Sequence, residues 1–86
     1  MAELHVELVA ANGKLWEGSA RQVSAPGSEG SLGILPGHVP MLTALGEGEV
    51  HIHGEGEGKR VQVEGGFLSV DHDRVTIVTD SAQVQA

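Results

Sequence analysis

The sequence predicts an all-β fold: a small two-sheet β-sandwich of about ten short strands, forming a single domain over residues 1–86. Three observations carry that expectation. Apolar and polar residues alternate with period two in segment after segment, turn-forming residues separate these segments, and nowhere do apolar residues recur at helical spacing over three turns.

The elements follow in order. In "ELHVELV", Leu4, Val6 and Leu8 face one way while Glu3, His5 and Glu7 face the other, as a half-buried strand requires. Asn12-Gly13 between two apolar runs is the strongest short hairpin signal, because both residues tolerate positive φ. Ala25-Pro26-Gly27 closes a further strand, Ser28 to Ser31 form an exposed acidic loop, and Leu32 to Leu35 read as a short buried strand interrupted by Gly33. Pro36-Gly37 predicts a turn, since proline fixes φ at the first position and glycine accepts positive φ at the next. Met41 to Leu45 resumes the core, and "HVPMLTAL" offers at most one helical turn, weakened by Pro40. "EVHIH", "KRVQVE" and "RVTIVT" repeat the alternation, separated by "GEGEG", "EGG" and "DHD". Val9, Val39, Met41 and Val78 lie out of phase with the inward sets and are the candidates for an exposed apolar face.

Composition excludes several classes of function. Twelve Asp and Glu against five Lys and Arg give a net charge of −7, the wrong sign for nucleic acid or anionic lipid. No apolar run approaches the ~18 residues of a spanning helix, and the N-terminus has no basic-then-apolar signal pattern. With no cysteine, disulfides and thiolate ligands are absent, and Trp16 and Phe67 are the only aromatic residues apart from histidine. The core is therefore expected from Val, Leu and Ile.

Reactive chemistry finds little support. No glycine-rich loop ends in Lys-Ser or Lys-Thr, and no serine sits in a nucleophile elbow. His51 and His53 project from one strand face, and Glu57 follows after a three-residue gap, which partly resembles the His-x-His-x3-Glu ligand set of metal-binding cupins. The surroundings depart from that family: Leu45 and Glu64 stand where its flanking glycines are expected, and no second histidine motif follows downstream. The simpler reading is a solvated polar strand face. A lipoyl or biotinyl carrier sandwich needs a modifiable lysine at a hairpin tip; Lys14 and Lys59 border turns without the required neighbours.

The segment "GSEGSLGILPGHVPMLTAL" closely resembles the epsilon subunit of F-type ATP synthases, and its Gly-x-x-Gly-x-x-Pro-Gly-His-x-Pro run is specific. "ELHVELVAANGKLWEG", "VEGGFLSV" and "DRVTIVTDSA" resemble, in order, the opening hairpin, the Gly-Gly strand and the closing strand of the same family's N-terminal β-sandwich. The resemblance implies a non-catalytic rotor subunit with no cofactor. It implies a place in the central stalk at the cytoplasmic face of the bacterial membrane, peripheral and without lipid insertion. Its neighbours there are the gamma subunit and the c ring, in a complex with alpha, beta, delta, a and b. By matched positions, Ala10, His38 and Thr43 are expected to face gamma, and Ser28, Glu29 and Ser31 the basic polar loops of the c ring; Ser31 stands where relatives are often acidic. Most relatives continue into a helical hairpin that restrains ATP hydrolysis. This sequence stops at "DSAQVQA", so inhibition and nucleotide binding are not expected of it.

Overall fold

A computed structural model describes residues 3–11, 13–54 and 58–80, and the backbone of residues 82–85. Its elements are β1 (Leu4–Ala10), β2 (Gly13–Ala20), β3 (Gln22–Gly27), β4 (Gly30–Ile34), β5 (Met41–His53), β6 (Lys59–Asp71), β7 (Arg74–Thr79) and β8 (Ala82–Gln85). Hydrogen bonding runs in the order β2-β1-β7-β6-β5-β3-β4, with β8 added to β6. All neighbours are antiparallel except β1 and β7, which run parallel from His5↔Arg74 to Ala10↔Thr79.

The strands number eight rather than about ten because β5 and β6, at 13 residues each, serve both layers. Met41 to Leu45 pair with Gly66 to Val70, whose other edge meets β7. Glu49 to Ile52 pair with Lys59 to Gln62, and this half carries β3 on one side and β8 on the other. The inward set changes phase between the halves: Leu45 and Leu68 are buried on one side of the change, Val50 and Val63 on the other. Glycines accommodate it. Gly65 and Gly66 have φ of 103° and 126°, and Gly48 has φ of 154°. A Cβ on Gly66 would land on the Val78 carbonyl and the Thr79 Cα, so no side chain fits there. Pro26, which has no N–H to donate, packs its ring where Gly48 lacks a side chain, and β5 bulges away from β3 at this point.

Leu4, Leu8, Ile34, Ile52, Leu68, Ile77 and a set of valines fill the space between the layers, each with under 2% exposure. The core is aliphatic, as the composition predicts; Trp16, Leu32 and Met41 pack on its margin. Two expectations need correction. Leu35 lies outside the strand, which ends at the buried Ile34, because the turn beginning at Leu35 carries it into solvent. Met41 is no exposed apolar residue either: it stands opposite the buried Val70 and shares its inward side. The residue that faces solvent here is its neighbour Leu42.

Two turns bear on function. Pro36-Gly37 does turn the chain: the His38 amide donates to the Leu35 carbonyl at 3.1 Å and Gly37 has φ of 86°. His72 and Asp73, with φ of 48° and 61°, form the two-residue hairpin between β6 and β7, Asp being one of the residues that tolerates this conformation. Asn12 and residues 55–57, the tip of the "GEGEG" hairpin, lie outside the described residues.

Candidate interaction surfaces

The outer side of the β5-β6-β7-β1 layer is apolar along one row. Ala44 stands opposite Phe67, Phe67 opposite Val78, and Val78 beside Val9. Phe67 is 55% exposed, Val78 43%, and the adjoining Leu42 71%. Val9 is half-buried, whereas Val39, in the loop leading into β5, is 70% exposed. The sequence pointed to Val9, Val39 and Val78 but missed Leu42 and Phe67. In "GGFLSV" and "MLTAL" the outward apolar residue sits beside an inward one, so alternation alone does not say which of them is buried.

The residues expected to face gamma occupy the margins of this layer. Ala10 ends β1 beside the buried Thr79, and Thr43 stands opposite the buried Leu68. Both therefore belong to the inward phase at half-buried positions. They are separated by the two intervening strands β7 and β6, a span of roughly 14 Å at ordinary strand spacing. His38 lies in the loop before β5. Its Nδ1–H donates to the Val39 carbonyl at 2.7 Å, which leaves Nε2 as the acceptor on the other side of the ring. That loop is tied to the β6–β7 turn, where the Gly37 amide donates to Asp73 Oδ1 at 2.7 Å, and the Asp73 carbonyl in turn accepts from the His5 amide. Asp73 thus positions the loop that carries His38, a role that "DHD" read as a plain turn did not disclose.

Ser28, Glu29 and Ser31 do come together. Gly27 pairs with Gly30, so Ser28-Glu29 is the two-residue tip of the β3–β4 hairpin, and all three side chains are exposed. The tip is fastened by the Ser28 amide to the Ala44 carbonyl at 3.1 Å. The rest of the hairpin pairs with the far half of β5, Gln22 to Ser24 standing opposite His53 to His51, so the polar tip projects beside the Ala44 end of the apolar row.

His51 and His53 share an outward face with ring centroids 3.8 Å apart; His53 Nε2 is 3.5 Å from Ser24 Oγ. Their proposed third ligand, Glu57, lies outside the described residues. A charged cluster stands on β1 and β2. A bulge makes Leu15 the extra residue between Leu8↔Trp16 and Val9↔Lys14, which turns Lys14 to the same side as Glu17. Lys14 Nζ then donates to Glu17 Oε1 at 2.7 Å, and His5 Nε2 meets Glu17 Oε2 at 2.6 Å. The Lys14 bond, and after it the His5 bond, hold the Glu17 carboxyl below its ordinary value; the same carboxylate raises Lys14.

Residues 3–85 match the family described as ATP synthase, Delta/Epsilon chain, beta-sandwich domain. The chain belongs to the ATP synthase epsilon family. It is 51% identical over 85 residues to the ATP synthase epsilon chain of Micrococcus luteus, covering 98% of this chain and 93% of that one. With the epsilon chain of Rhodococcus opacus it shares 49% identity over 86 residues, covering 98% of this chain and 70% of the relative. Among solved structures, a chain of the Euglena gracilis mitochondrial ATP synthase OSCP/F1/c-ring assembly superposes with a TM-score of 0.90 at 24% identity. That match covers 98% of this chain and 54% of the other. A chain of the Tetrahymena thermophila mitochondrial ATP synthase central stalk and c-ring gives 0.78 at 19% identity, covering 93% and 65%. At such identities the structures establish the fold, and the sequence relatives establish the family. An epsilon chain is a non-catalytic subunit of the ATP synthase complex, and this chain is one. Among the described residues, no helix is long and apolar enough to cross a membrane.

Proposed function

We propose that this epsilon chain is a passive mechanical joint of the central stalk, holding the gamma subunit to the c ring so that proton-driven rotation reaches the catalytic subunits. The observation that carries the proposal is the presence of two chemically different partner-type surfaces, an apolar row and an acidic hairpin tip, on one closely packed body. The apolar row Ala44-Phe67-Val78-Val9, with Leu42 and Val39, is a surface that a free-standing domain would make more polar. Of the residues assigned to the gamma contact, His38 adjoins the exposed Val39, while Ala10 and Thr43 reach a partner only from half-buried, inward-phase positions next to Val9 and Leu42 in the chain. His38 Nε2 supplies a hydrogen-bond acceptor at that margin. The tip bearing Ser28, Glu29 and Ser31 meets the c ring, where Glu29 provides the negative charge for basic loops.

Stiffness suits this task because torque must not be dissipated in bending, and a core of interdigitated branched aliphatics is hard to deform. The subunit sits peripherally at the cytoplasmic face of the membrane, held through its protein neighbours. The test is assembly. An affinity tag on this chain recovers the central-stalk subunit and the ring, and His38→Asp weakens recovery of the stalk subunit while the circular dichroism of the isolated chain is unchanged. Undiminished recovery with His38→Asp removes that residue from the interface.

A further inference from the structure

We propose that His5, Glu7 and Glu17 form a surface site for a divalent transition metal of the zinc class, clamping β1 to β2. One ligand atom from each of these side chains lies within 4.8 Å of the others. The donors come from two strands: His5 and Glu7 are two apart on β1 and share its outward face, and Glu17 stands opposite Glu7 on β2. His5 Nε2 lies 2.6 Å from Glu17 Oε2 and 3.9 Å from Glu7 Oε1. Two ligands on a tetrahedral zinc ion stand about 3.3 Å apart, so one gap opens and the other closes by less than the reach of a rotamer adjustment.

The division of the carboxylate oxygens favours this site. Lys14 Nζ engages the other oxygen of each carboxylate, Glu17 Oε1 at 2.7 Å and Glu7 Oε2 at 3.8 Å. The ammonium therefore holds the two carboxylates in place without occupying the position between Oε1 of Glu7, Oε2 of Glu17 and the imidazole. In a metal site that is the part of an outer-shell orienting group. A nitrogen and two carboxylate oxygens leave the fourth tetrahedral position to water. Zn2+ takes the place that a proton occupies on His5 Nε2, and that proton leaves to solvent or moves to Nδ1; acid therefore competes with the metal. The opposing charges are Lys14 and Arg74, the latter opposite His5 on β7. They limit the affinity. The His51–His53 pair is the weaker candidate: it offers two imidazoles among the described residues, with Arg60 standing opposite His51.

The experiment is calorimetric titration of the purified full chain with ZnCl2 in chelator-free buffer, repeated in three variants. One saturable site is expected, weakened at least about tenfold by His5→Ala and unchanged by the double substitution His51→Ala/His53→Ala. Glu17→Gln, which keeps an acceptor for Lys14, serves as a second ligand variant should His5→Ala fold poorly, and it too weakens binding. Absence of saturable heat at millimolar Zn2+ overturns the proposal, as does binding that survives His5→Ala and Glu17→Gln and disappears in the double histidine variant.

Discussion

Replacing Gly66 by alanine tests the account of how β6 passes from one layer to the other. Gly65 provides the control, because the two glycines share a backbone demand but differ in space. Both have φ in the left-handed half of the map, at 103° and 126°, where an L side chain is strained by roughly 1–3 kcal/mol. A Cβ on Gly65 has its closest neighbour, the Leu45 carbonyl oxygen, at 3.8 Å, an ordinary contact. On Gly66 it would overlap the backbone of Val78 and Thr79, which yields only if β7 moves away from β6. Overpacking of this kind costs about 1–3 kcal/mol beyond the conformational strain. A domain of this length has total stability on the order of 4–13 kcal/mol, so Gly65→Ala remains folded while Gly66→Ala loses a large share of its margin. Urea unfolding followed by circular dichroism measures both. Equal midpoints for the two variants would refute the argument that close approach of β7, rather than φ alone, dictates glycine at position 66.

Three further outcomes follow from named contacts. The Trp16 ring lies over Gly18, where a Cβ would come within 2.6 Å of Cζ2; Gly18→Ala swings the ring outward and shifts its emission to longer wavelength, at a smaller cost than Gly66→Ala because a side chain can move. Asp73→Ala removes the acceptor of the Gly37 amide, destabilises by about 1–2 kcal/mol and accelerates hydrogen exchange at Gly37, whereas Asp73→Asn retains protection. Glu17 has its folded pKa depressed from 4.5 by Lys14 and then His5, so its contribution is present above pH 4.5 and lost as pH falls through the folded value. Lys14 is raised above 10.5 by Glu17, so its contribution is lost as pH rises beyond that value. Unfolding midpoints across pH should therefore lose part of their acid limb in Glu17→Gln; an unchanged acid limb contradicts the Glu17 contribution.

Much of this was legible in the sequence because alternation in "ELHVELV" and "RVTIVT" reports directly which face is buried. Leu4, Val6, Leu8, Val75 and Ile77 are all in the core. The Pro36-Gly37 turn was equally readable, since its residue types admit few conformations. Continuity was harder. "MLTALGEGEVHIH" reads as two strands interrupted by glycines, yet a single strand bends through them, because glycine in a strand marks a bend as readily as an end. The Lys14–Glu17–His5 cluster could not be seen, because a bulge at Leu15 shifts the phase and three-residue spacing on a regular strand places side chains on opposite faces. Asp73 was hidden for a different reason: its partner Gly37 is 36 residues away, and no local pattern encodes that contact.

Two surfaces on one rigid body grip two different neighbours. The most direct measurement is recovery of the stalk subunit and of the ring by tagged chain carrying Phe67→Asp or Glu29→Lys. Phe67→Asp is expected to lose the stalk subunit selectively and Glu29→Lys the ring, each with a native circular dichroism spectrum. Recovery of both partners by both variants, or loss of both partners from either one while it stays folded, would contradict the two-surface grip.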